Sequence, residues 1–245
     1  MRRLALALVS LLLVACAGEP AAPDEFDIPN FAVVKVTDPS TVLVVDGVNI
    51  PRHAQVTGTV AGIVVTVDEA RVDLSKATVD CDGRSDIDEV GVWIQGARTR
   101  VRVTGGGTGT VKNCAIGILI GRLEPNGGDD GLGGGNRVVG LTIVMSAGPC
   151  DVFDTNGACG TAVAIFNGRD NLVAQNTIVH ASDKGVLVLS GGNKIYDNAI
   201  DGTGDWGILL SSDGNSVRNN VVRGWFYNIA TNGDNNVIRD NQLGY

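Results

Sequence analysis

The alternation of apolar and polar positions along residues 171–243 repeats itself. Four units run Asn171-Leu-Val-Ala-Gln-Asn176-Thr-Ile178, Asn193-Lys-Ile-Tyr-Asp-Asn198-Ala-Ile200, Asn215-Ser-Val-Arg-Asn-Asn220-Val-Val222 and Asn236-Val-Ile-Arg-Asp-Asn241-Gln-Leu243. In each, a second asparagine follows the first by five residues, and apolar residues lie two and seven after the first. The units follow one another at offsets of 22, 22 and 21 residues. Ahead of each stands another apolar run: Ala162-Val-Ala-Ile165, Gly185-Val-Leu-Val188, Gly207-Ile-Leu-Leu210 and Asn228-Ile-Ala-Thr231. A fixed period in this range marks a stacked-repeat architecture.

The apolar stretches are short, rich in Val and Ile, and separated by Gly, Asn, Asp and Ser, which is strand and turn chemistry. Outside the N-terminal leader, no window carries the i, i+3, i+4, i+7 spacing of a helix. The pattern predicts an all-β fold: a single-stranded, right-handed parallel β-helix solenoid of about seven rungs of ~22 residues, with two loop insertions. Rungs stacked at a strand spacing of about 4.8 Å place equivalent side chains above one another. Val173, Ile195, Val217 and Ile238 then form one interior column, and Ile178, Ile200, Val222 and Leu243 another. The paired asparagines are expected at turns, where Asn tolerates left-handed geometry and its amide bonds to the neighbouring rung.

These Asn-x-(Ile/Val)-x-x-Asn-x-(Ile/Val) units and Gly-(Val/Ile)-x-(Val/Leu) runs resemble those of right-handed parallel β-helix repeat proteins, the pectin lyase-like superfamily of pectate lyases and polygalacturonases. The resemblance covers residues 161–243 well and about 63–145 less regularly. It speaks for fold more than for chemistry, because one scaffold hosts many functions.

In chain order, Arg2 and Arg3 precede an apolar run from Leu4 to Ala15 that is too short to span a bilayer. The run ends Leu13-Val-Ala-Cys16, which resembles the lipobox of bacterial lipoproteins. That resemblance implies a signal peptide over 1–15, cleavage before Cys16, lipidation of its thiol, and an exported, membrane-anchored protein. The alternative is an ordinary secretory peptide cut nearby. Ala17 after the cysteine favours the outer over the plasma membrane under the same resemblance, on the periplasmic or the cell-surface side. Residues 16–30 hold three of the seven prolines and read as an extended tether. Residues 31–62 are β-rich but out of register and are the expected N-terminal cap, with the β-helix proper over 63–245.

Insertions at 121–135 and 146–160 break the period. The chain stops two residues past Leu243, so a partner, a second copy or the returning tether is expected over the last rung. Loss of Arg2 and Arg3 with the leader would move the formal net charge from −8 to −10, a balance that argues against nucleic acid as a partner. With Cys16 lipidated, four of the five cysteines remain in an oxidising setting. Cys150 and Cys159 bracket one loop and form the better pair. Cys81 and Cys114 occupy nearly matching places in successive rungs and suit a cross-rung bridge or two buried thiols.

The polar clusters are few. Asp80, Asp82, Asp86, Asp88 and Glu89 crowd around Gly83 and form either a solvated acidic turn or a Ca²⁺ site, though not with EF-hand spacing. No cofactor is required by any pattern in the chain. Zinc spacing is absent, and the two histidines and one internal methionine leave soft copper sites without ligands. Stacking the repeats brings out a second cluster. The turns before the Gly-(Val/Ile) strands read His180-Ala-Ser-Asp183-Lys184, Gly202-Thr-Gly-Asp205-Trp206 and Arg223-Gly-Trp225-Phe226-Tyr227. Register puts Asp183 above Asp205 and lines up Lys184, Trp206 and Tyr227. Carboxylates about one strand apart, beside a cation and aromatic faces, are what a sugar-binding or glycosidase-like cleft uses. The alternative is polar turns, with aromatics that cover the lower end.

The resemblance would put a substrate groove on the outward positions of one sheet. Those positions are Trp93, Leu119, Leu187 and Leu209, an apolar stripe that the two insertions are placed to cover. The Asn-Thr-Asp, Asp-Asp and Gly-His-Gly motifs of polygalacturonases and the Asp-Pro-His-Asp motif of alginate epimerases are absent. The expected function is therefore non-catalytic binding of glycan or another envelope component. The alternative is a polysaccharide lyase, hydrolase or epimerase with a non-standard site at Asp183, Lys184 and Asp205 or at the 80–89 turn.

Overall fold

The computed structural model describes residues 34–36, 42–50, 60–81, 89–122, 133–145 and 160–245. These residues are all-β: 22 strands lie in two sheets, no helix occurs among them, and every strand pairing is parallel. The sequence has 245 residues.

Each repeat lays down three short strands, one in each of three stacks. In the first stack Val138, Val173, Ile195, Val217 and Ile238 are consecutive partners. In the second the partners are Ile143, Ile178, Ile200, Val222 and Leu243. In the third they are Ile118, Val163, Val186, Ile208 and Ile229. The long strand Arg71–Asp80 pairs at its start with Arg102–Thr104 and at its end with Thr110–Lys112, which joins the first two stacks into one 14-stranded sheet. Each stack is eight strands deep among the described residues, one more than the repeat spacing suggested.

The additional depth comes from the segment expected to be a cap. Val34–Val36 pairs with Val60–Val65, and Val42–Ile50 with Arg71–Asp80, both in parallel. The sheets thus begin ahead of residue 63. The segment looked out of register because it stands 29 residues from its partner strand (Leu43 on Val72) where later repeats stand 22 apart (Val173 on Ile195).

Branched aliphatics from the three stacks pack into one buried core that runs from Ile63 to Val222 and includes Trp225. Two asparagine ladders flank the first stack. The backbone N–H and the side-chain amide of Asn171 both donate to Oδ1 of Asn193, and Asn176 does the same to Asn198. Each asparagine of the second ladder also donates to a carbonyl of the preceding repeat, as Asn198 does to Val173 at 3.0 Å. Buried amides are thereby satisfied on both sides. The left-handed residue is the one before each ladder asparagine: Asp170, Gln175, Asp197, Asn219, Asn235 and Asp240 have φ between 55° and 58°. This differs from the expectation that the ladder asparagines themselves adopt it. Each asparagine must keep its own N–H directed along the stack, so the reversal falls one residue earlier.

Where the second stack turns into the third, a side chain has no room. A Cβ on Gly185 would lie 2.5 Å from the Gly207 carbonyl oxygen, and one on Gly207 would lie 2.3 Å from Val222 Cγ1. This packing accounts for the Gly-(Val/Ile) motif.

Candidate functional site

At that corner the third-stack strands begin at Lys184, Trp206 and Tyr227, which are consecutive cross-strand partners. One residue earlier, the Asp205 N–H donates to the Asp183 carbonyl at 3.1 Å and the Tyr227 N–H to the Asp205 carbonyl at 2.8 Å. Asp183, Asp205 and Phe226 therefore form a second line beside Lys184, Trp206 and Tyr227. The grid reads acid, acid, aromatic next to cation, aromatic, aromatic.

Its electrostatics are largely internal. The Lys184 side chain is only 8% exposed, and its ammonium pairs with the Asp183 carboxylate. The same Nζ lies 5.2 Å from the centroid of the Trp206 ring, within cation–π range. Trp206 stacks on Tyr227 with centroids 6.5 Å apart and planes 17° from parallel. Phe226 meets Tyr227 edge-on at 4.6 Å and 87°. Trp206 thus lies between a cation and a second ring. What faces solvent is the Asp205 carboxylate with Phe226, 75% exposed, and Tyr227, 52% exposed. An ammonium held this way is a poor ligand for a polyanion, which would have to displace the Asp183 carboxylate to reach it.

Trp225 and His180, expected at the same site, are placed elsewhere. Trp225 is buried in the core, where its ring fills the space over Gly202 that any side chain there would need; Cζ2 lies 2.2 Å from a Cβ built on that glycine. His180 is exposed in the second stack, at a φ of 60°, where the register slips between Val179 and Ala181. Thr161, the partner of Lys184 on the preceding strand, was missed from sequence. It is buried, and its hydroxyl has no hydrogen-bond partner among the described residues.

The outward stripe is present in register, since Trp93, Leu119, Ala164, Leu187 and Leu209 are consecutive partners. It is not an open surface: Leu119 is 0% and Leu187 1% exposed. With Val90, Ile116, Ala164 and Phe166 they make a second apolar cluster, distinct from the main core. The signal was the unbroken apolar run Ile116-Gly-Ile-Leu-Ile120, the mark of a strand buried on both faces. The insertions expected to cover it fall mainly on residues 123–132 and 146–159, outside the described residues.

Of the acidic turn, Asp82, Asp86 and Asp88 lie outside the described residues. Both oxygens of Asp80 are engaged, Oδ1 by the Asn113 amide at 2.7 Å and Oδ2 by Lys112 at 2.9 Å. Among the described residues no three His, Cys, Asp or Glu side chains converge as metal ligands. Beside Asp80, Cys81 and Cys114 form a disulfide with Cα atoms 4.9 Å apart, joining consecutive second-stack layers. Cys16, Cys150 and Cys159 lie outside the described residues. A further feature unread from sequence is a trough of about 360 Å³ along the glycine turns of the first stack, lined by Arg169, Gly192, Asp213, Gly214 and Asn235.

No family model, no curated protein and no solved structure matches this chain.

Proposed function

We propose that the chain winds as one right-handed parallel β-helix solenoid of the pectin lyase-like kind, tethered to the cell envelope by a lipid on Cys16, and binds glycan or another envelope component without turning it over. Parallel pairing of every successive repeat supports the winding. The Leu13-Val-Ala-Cys16 motif is the support for the anchor, with the outer membrane favoured. Binding needs no cofactor; a Ca²⁺ ion on the 80–89 turn would be accessory.

The observation that carries the binding reading is the Lys184–Trp206–Tyr227 stack, which holds two aromatic side chains in fixed orientation beside an exposed carboxylate. Rigid aromatics give contact area at small entropic cost, which suits a binding ledge. The second reading is a polysaccharide-active enzyme, and the solvent-facing Asp205 favours it. Three measurements on the lipid-free chain separate them: a glycan array, and a reducing-end assay and an NMR spectrum on every glycan bound. Binding without new reducing ends, and without epimerised residues in the NMR spectrum of the recovered glycan, supports the first reading. Turnover that Asp205→Asn abolishes, with circular dichroism unchanged, overturns it in favour of the second. Absence of any glycan binding overturns the enzyme reading and the glycan form of the first, and leaves another envelope component as the ligand.

A further inference from the structure

We infer that the Asp205–Phe226–Tyr227 ledge selects a cationic amino sugar: an oligosaccharide of 2-amino-2-deoxyhexose whose free ammonium groups meet Asp205 while a pyranose face lies on the rings. This rests on the glycan-binding reading and adds the charge of the ligand. Three observations carry it.

The first is the loss of the site's own cation. Lys184 is the ammonium in this grid, and it is buried, paired with Asp183 and set against Trp206. A uronic or sulfated glycan therefore meets no available positive charge there among the described residues, and its anionic groups would face Asp205. The second is the asymmetry between the two aspartates. They are neighbours in register, yet Asp183 is half-buried against Lys184 and Asp205 is exposed one strand on. The Asp183 charge is neutralised within the fold, and the Asp205 charge is left for solvent or ligand. The third is that the exposed rings follow directly: Phe226 is next in line after Asp205, and Tyr227 touches it edge-on. A carboxylate next to aromatic faces is the pairing that recognises organic ammonium groups. Among the described residues on this corner, Asp201 and Arg223 are exposed cross-strand partners of opposite sign in the second stack, and their charges largely offset each other. The formal net charge of −8 on the whole chain draws the same class of ligand toward the protein.

The test is isothermal titration of the lipid-free full chain with three hexasaccharides: glucosamine, N-acetylglucosamine and galacturonate. The glucosamine hexamer is expected to bind at least tenfold tighter than the acetylated one, with no galacturonate binding. Asp205→Asn is expected to remove most of that preference, and Phe226→Ala with Tyr227→Ala to weaken both neutral and cationic ligands. Asp197→Asn, an exposed carboxylate in another turn, is the control for bulk charge. Equal binding of the acetylated and free sugars, unaffected by Asp205→Asn, overturns the inference and leaves the glycan reading standing. Equal weakening by Asp197→Asn and Asp205→Asn also overturns it, as attraction to net charge alone. Binding of none of the three overturns the inference, while the glycan array decides the broader reading separately.

Discussion

The backbone N–H and the side-chain amide of Asn198 converge on one acceptor, Oδ1 of Asn220, each at 2.9 Å. Both residues are buried, so neither donor has water to fall back on. Asn220→Ala strands two donors at once and also loses the amide bonds that Asn220 makes to the Ile195 and Arg218 carbonyls. A buried unsatisfied group costs about 1–3 kcal/mol, so the expected loss is about 2–5 kcal/mol, read as a fall in the urea midpoint. Asn219→Gly, one residue earlier at a φ of 56° and exposed, is expected to change stability by less than about 0.5 kcal/mol, because glycine accepts that geometry.

Gly207→Ala tests the corner between the second and third stacks. The added methyl would lie 2.3 Å from Val222 Cγ1 and 2.5 Å from the Asn228 carbonyl oxygen. One of those contacts is backbone and cannot rotate away. A loss of at least about 2 kcal/mol is expected, in the range of overpacked cores, whereas Gly96→Ala, with open space around its Cβ, is limited to the cost of its φ of 70°.

The Ile195→Ala and Ile238→Ala pair separates position from chemistry. Both occupy one column, but Ile195 is fully buried and Ile238 is 40% exposed. Truncating a buried isoleucine costs about 2–5 kcal/mol; the exposed one is expected to cost less than half of that. Equal effects in chemical denaturation would contradict the depth of the column.

Replacing both Cys81 and Cys114 by serine opens a loop of 33 residues. In the chain-entropy account such a closure contributes about 3–4 kcal/mol. The double variant is expected to unfold at lower denaturant, and peptide mapping without reductant is expected to recover the Cys81–Cys114 cross-link from the parent.

Much of this architecture was legible because the repeats carry identical residues at identical offsets. The Val173 and Ile178 columns and the Lys184–Trp206–Tyr227 line follow from a period near 22, while the Cys81–Cys114 bridge was legible from the matching Thr-Val pairs ahead of each cysteine, 32 residues apart. The N-terminal half was harder, since Val72, Val103 and Val138 are partners at spacings of 31 and 35 residues that no fixed period reveals. Trp225 was misassigned because register gives a side chain's place along a turn and not the direction it takes; the void over Gly202 drew it inward. The burial of Leu119 and Leu187 depends on what lies across the sheet, which alternation alone does not disclose.

The asparagine ladder has one more implication. What Asn193 asks of the layer below it, Asn215 asks of the next, through the same atoms at nearly the same distances of 2.8 and 2.7 Å. Excising residues 194–215 would join Asn193 to Ser216 and recreate an uninterrupted Asn-x-Val-x-x-Asn unit. The molecule can therefore gain or lose whole modules by tandem duplication or deletion, with each new junction already complementary. Its length is free to drift over generations while its cross-section stays fixed.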